Sequence, residues 1–122
     1  MSPPIREVCF LIDRAGGVLW MDASTSPSAL PDSRLRWEAI WRHRDELDVI
    51  AHSHPAGPPA FSGEDRSTMA AIDAALGREL TYAVVTIDAI IYRGPGAVVD
   101  QDPTWVVRLR SESGMLPDSA PH

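Results

Sequence analysis

Lysine is absent. All 11 basic residues are arginine, and 17 Asp and Glu leave the chain with a formal net charge of -6. That balance excludes nucleic acid as the main partner, because phosphate backbones need a basic surface, and it favours a basic or neutral one. Cysteine occurs once, at Cys9, which rules out an internal disulfide and, within its apolar run, predicts a buried core thiol. No stretch approaches the roughly 18 apolar residues of a membrane span. The opening MSPPIREVCFLID has neither the basic start nor the small-residue cleavage site of a secretory signal. A cytoplasmic protein with no membrane partner is therefore expected.

What is present is the balance of an ordinary globular domain, 44% hydrophobic and 23% charged over 122 residues. One domain over residues 1–110 is expected, with a flexible tail from Ser111 to His122. The run EVCFLI, the turn residues DRAGG and the run VLWMD read as a β-hairpin. Asp32 or Ser33 is a candidate N-cap for a helix over RLRWEAIWRHRDEL, with Trp37, Ile40 and Trp41 on one face and Leu47 nearly in line. The segment DVIAH then reads as a short strand. SGEDRSTMAAIDAALG begins with a capping pattern, ends at Gly77 and repeats Met69, Ile72 and Leu76 at helical spacing. LTYAVVTI and AIIYRG are β-rich runs joined around Asp88, and TWVVRLR reads as one more strand.

The chemistry concentrates in HSHPAGPPAFSGED. Residues two apart in a strand point to the same side, so His52 and His54 can aim two imidazoles at one point. Asp65 follows at the start of the next helix, and a short Pro-rich loop can fold that start back against the strand end. Two histidines and a carboxylate with one open position describe a catalytic zinc site. Taken singly, the pieces have plainer readings: HxH as a solvated turn, and Ser62-x-x-Asp65 as a capping box.

Their joint spacing is more specific. The stretch from His52 to Asp65 fits H-x-H-x(7)-S-x(2)-D, with a proline after the second histidine. In this the chain resembles the JAB/MPN (JAMM) metalloproteases over roughly Pro4 to Arg93, as a minimal prokaryotic-type member. The resemblance implies an α/β, cytidine-deaminase-like fold, with a curved mixed sheet flanked by two to three helices and a zinc site at the end of a central strand. It implies His52, His54 and Asp65 as Zn²⁺ ligands and Ser62 as an oxyanion donor. PIREVCFLI looks like the strand that carries the family's general base, which points to Glu7; Glu38 and Glu46 are the competitors. The implied activity is zinc-dependent isopeptidase or peptidase cleavage after the C-terminal glycine of a ubiquitin-like or sulfur-carrier protein, with the extended tail lying along a strand edge. Relatives of this kind serve sulfur pathways, antiphage defence or phage tail assembly.

Two departures from the family pattern carry expectations of their own. Phe10 stands where a glycine is usual and is expected to crowd the strand crossing. Only six residues precede Glu7, where the family usually has a helix, so one sheet face is expected to be bare and covered by a second copy, as a homodimer, or by a partner protein. The lack of lysine suits either codon bias or work beside lysine-conjugating enzymes. The alternative function is a non-catalytic MPN scaffold or interaction module. A zinc deaminase is excluded, because it needs H-x-E and a C-x-x-C pair.

Overall fold

A computed structural model of the chain describes residues 5–24, 34–95 and 103–115. The apolar N-terminal run forms β1 (Val8–Asp13), which turns back as the expected hairpin on β2 (Val18–Ala23). Asp13 closes the turn, its Oδ1 accepting from the N–H groups of Ala15 and Gly17 at 3.0 and 2.8 Å. Gly16 takes the left-handed conformation that the turn requires, at φ 87°. There follow α1 (Arg34–Arg42), β3 (Leu47–Ser53), α2 (Gly63–Leu76), β4 (Thr81–Val85), β5 (Ile90–Arg93) and α3 (Thr104–Glu112).

The strands form one open, mixed sheet in the order β2-β1-β3-β4-β5. Only β3 and β4 are parallel. A parallel pair cannot be joined by a tight turn, and α2 is the crossover between them. Side chains alternate across the sheet and give two cores. Val8, Phe10, Ile12, Ala51, Ala83 and Val85 face one way, while Cys9, Leu11, Ile50 and Tyr82 face the other, against Ile40 of α1 and Met69 and Ile72 of α2. This is the expected α/β architecture, with helices on both faces.

TWVVRLR is the segment that departs from its expected state, since it is helical and not a strand. Its β-branched residues suggest a strand, but the buried positions Trp105, Val106 and Leu109 follow helical spacing, with Val107 exposed between them. Pro103 sits at the N-cap, where its missing N–H costs nothing. This helix packs on Val8, Phe10, Ala51 and Val85. The sheet face expected to be bare therefore carries α3. Phe10 points into this same layer, with the Arg108 guanidinium 5.3 Å from its ring.

The boundary at residue 110 also moves. Ser111 and Glu112 complete α3, and Ser113 and Met115 are buried, so the part of the expected tail up to residue 115 belongs to the core. Residues 116–122 lie outside the described residues, as do the cap candidates Asp32 and Ser33. The first helix is shorter than its pattern: it stops at Arg42, and Leu47 opens β3 instead. Trp41 turns 54% of its surface outward with the Arg44 guanidinium 4.2 Å from its ring, while Ile40 and Trp37 take the core side. No helix among the described residues is long and apolar enough to cross a membrane.

If α3 is a true core element, Leu109→Ala should destabilise the protein by about 2–5 kcal/mol. Val107→Ala, on the exposed side of the same helix, should change stability by less than about 0.5 kcal/mol. Urea denaturation of both variants reads the difference, and equal small effects would mean that the helix does not cover the sheet.

Candidate metal centre

The centre begins at the C-terminal end of β3. His52 pairs with Cys9 on one side and Val84 on the other, which fixes its height in the sheet. His54 lies one residue past the strand, but its N–H donates to the Val85 carbonyl at 2.9 Å and prolongs the ladder. The two imidazoles consequently emerge on the same face, with their Nε2 atoms 3.0 Å apart and the rings inclined at 62°. The Nδ1 of His54 is 3.0 Å from the Pro58 carbonyl. A carbonyl only accepts, so Nδ1 carries the proton and the lone pair of Nε2 faces His52.

Asp65 arrives from the start of α2. Ser62 is the N-cap: its Oγ accepts from the Asp65 N–H at 3.0 Å, and Asp65 Oδ2 accepts from the Ser62 N–H at 2.8 Å. The capping box therefore exists, and the same Oδ2 also stands 3.6 Å from His52 Nε2. Burial alone would raise the Asp65 pKa, but the nearby His52 imidazole and the hydrogen bond from Ser62 outweigh it and hold the carboxyl well below the usual range. His54 is pushed down by burial, partly opposed by its bond to Pro58. Both shifts favour the forms that bind metal, a carboxylate and a neutral imidazole.

The donor set fits a small divalent ion. Donor atoms of His52, His54 and Asp65 all lie within 4.8 Å of one another. Tetrahedral zinc with bonds of about 2.0–2.2 Å would separate its ligands by roughly 3.3–3.6 Å. The observed 3.0 and 3.6 Å fall close to that range. Two imidazole nitrogens facing each other at this distance need a shared proton or a common cation between them.

Around the centre lies a cleft of about 540 Å³, whose lining includes Glu7 and Ser62. Glu7 immediately precedes β1 and, by alternation, shares the face of Cys9. It is 7% exposed. Burial pushes its carboxyl up; His52 offsets part of that rise and Asp65 adds to it. The other two candidate bases lie elsewhere: Glu38 is bonded to Arg34 on α1, and Glu46 lies beside His43 in the following turn. Cys9 also lines the cleft, but burial pushes its thiol up to about 12, too high for a nucleophile at neutral pH. The structure thus brings together all five residues expected from the sequence. Reading the sequence did not reveal the Pro58 carbonyl that orients His54, since a backbone acceptor leaves no trace in residue identity. It also overlooked Ser53, whose place between two same-sided histidines assigns it to the opposite face.

A mixed sheet with helices on both faces and a His-His-Asp cluster at the end of a central strand is the arrangement of an MPN-like α+β domain. The family model of prokaryotic homologs of the JAB domain matches residues 6–100, and the chain belongs to that family. The match runs from Arg6 through β5 and stops before α3. No curated protein matches the chain. The family includes metalloproteases and often binds zinc, and the His-His-Asp cluster here could hold a metal.

The raised carboxyl of Glu7 makes a stability prediction for the metal-free protein. A carboxyl whose folded pKa lies above its unfolded value favours the folded state when protonated, and that advantage is lost as pH rises through the folded pKa. Glu7→Gln should therefore raise the melting temperature at neutral pH in the presence of a chelator. The gain should vanish below the ordinary carboxylate range, and a variant less stable than wild type at pH 7 would contradict the burial of a charged Glu7.

Proposed function

We propose that this domain is a cytoplasmic zinc-dependent peptidase or isopeptidase that hydrolyses the bond after the C-terminal glycine of a ubiquitin-like or sulfur-carrier protein. The observation that carries this reading is the convergence of His52, His54 and Asp65 on one point, with Glu7 in the same cleft. His52 and His54 would hold the ion through Nε2 and Asp65 through a carboxylate oxygen. Zinc at such a site supplies Lewis acidity and lowers the pKa of water from about 15.7 to about 7.

The chain's own groups divide the remaining work. Glu7, with its carboxyl raised by burial, is suited to take a proton from the attacking water and return it to the leaving amine. Ser62 accepts a backbone N–H through its oxygen, which leaves its hydroxyl proton to donate to the substrate carbonyl as negative charge develops. β2 lies at an edge of the described sheet, and Ala23 at its end pairs with Val8, the residue after Glu7. An extended tail adding to such an edge would reach the cleft, and a glycine there needs no side-chain pocket. The complete ligand set, with Glu7 in the same cleft, favours an enzyme over a non-catalytic scaffold.

Incubation with a Gly-Gly-tailed fusion of a ubiquitin-like protein, with and without zinc, tests the reading directly. Glu7→Gln should retain zinc and lose cleavage, whereas His52→Ala and Asp65→Ala should lose the metal itself. Ser62→Ala should slow turnover by roughly a hundredfold or more while keeping zinc. Zinc binding without cleavage of any glycine-tailed protein would turn the reading towards the scaffold.

A further inference from the structure

Glu7 sits outside the regular ladder, since β1 begins only at Val8. Its position depends on what holds the Glu7–Val8 peptide. The carbonyl of Glu7 accepts from the Ser24 N–H at 2.8 Å. The N–H of Val8 donates to Ser53 Oγ at 2.9 Å. Ser53 stands between His52 and His54, on the opposite face of the sheet. Its hydroxyl oxygen is 2.6 Å from that of Ser113, which is in turn 2.7 Å from the Leu109 carbonyl.

Both serines are fully buried beneath α3. One proton arrangement serves every contact: Val8 N–H to Ser53, the Ser53 hydroxyl to Ser113, and the Ser113 hydroxyl to Leu109. Two hydroxyls in an apolar layer would each be costly if unpaired, so this fully paired chain is a specific solution. The same helix end grips the preceding residue. Arg6 N–H donates to the Ser113 carbonyl at 3.2 Å, Arg6 Nε to the Glu112 carbonyl at 3.0 Å, and Arg6 Nη2 pairs with the Glu112 carboxylate at 3.2 Å.

We infer that the C-terminal end of α3 is a clamp for the catalytic strand, with Ser113 acting through Ser53 as a positioning residue that sets Glu7 against the histidine pair. The inference rests on Glu7 being the general base. A carboxyl that must meet a water in a fixed place is sensitive to small displacements, and an ångström can cost roughly a hundredfold. Ser113 touches neither substrate nor metal; its effect passes through one peptide.

A double-mutant cycle on the zinc-loaded full chain tests it, with a Gly-Gly-tailed fusion as substrate. Ser113→Ala should lower kcat by roughly ten- to a hundredfold, with KM and zinc stoichiometry unchanged. In the Glu7→Gln background the same change should have no further effect on the residual rate, because the group being positioned is already disabled. Hydrogen exchange at the Val8 amide should accelerate in Ser113→Ala. Equal losses in both backgrounds, or an unaltered rate with an unaltered Val8 amide, would overturn the clamp. If Ser113→Ala fails to fold, Ser113→Cys keeps a side chain of the same shape with a weaker bonding group and should give the same non-additive pattern. An inactive wild type would count against the proposed function instead, and the Val8 exchange would still decide whether the clamp exists.

Discussion

The alternation of side chains at the end of β3 is the constraint on which both halves of the molecule depend. His52 and His54 fall on the face of α1 and α2, where Asp65 can reach them, and Ser53 between them falls on the face of α3. A slip of one residue in the pairing of Cys9 with His52 would turn the imidazoles into the apolar layer and the serine into the cleft. Burial of both sheet faces forbids that slip, since Ile50 and Ala51 of the same strand would exchange cores as well. The common face of the two histidines is thus inherited from hydrophobic register, while the Pro58 carbonyl and the capping box fix the His54 ring and the Asp65 carboxylate.

The start of α2 shows how one set of atoms carries both structure and chemistry. The capping box satisfies backbone N–H groups that the helix start would otherwise leave open, and it does so with the hydroxyl of Ser62 and the carboxylate of Asp65. Because Oδ2 is held by the Ser62 N–H, it is already placed 3.6 Å from His52 before any ion arrives. Pre-organisation of this kind removes part of the ordering cost that a mobile carboxylate would bring to metal binding. The plain reading of Ser62-x-x-Asp65 as a cap is borne out, and the cap is what places Asp65 beside the two histidines.

Where local pattern and tertiary role coincide, the sequence was legible. The hairpin, α2 with its Gly77 cap and the His52, His54 and Asp65 cluster follow from periodicity, capping chemistry and spacing. TWVVRLR was not, because propensity favours a strand for Trp and Val while burial of Trp105, Val106 and Leu109 on the sheet selects a helix. With α3 taken for a strand, Ser113 passed for part of a tail, although it caps the helix and is buried. The outward turn of Trp41 has a related cause. Its face is decided by where α1 ends, and a turn after Arg42, not a continued helix, delivers Leu47 to the core.

Glu7 explains why the two layers need to be coupled at all. Burial disfavours the Glu7 carboxylate more than His52 favours it, and Asp65 adds to the cost, so its own energetics hold it in the cleft only weakly. Being one residue outside β1, it also lacks the regular ladder that holds Cys9. Restraint must come from the backbone on either side, and the groups that supply it, Ser24, Ser53 and the end of α3, all lie on other elements. The part of the chain matched by the family ends before α3. A helix that buries the sheet through Val106 and Leu109 and also ends in a polar grip on Arg6 and, through Ser53, on Val8 joins the stability of the far layer to the placement of the carboxyl in the near one.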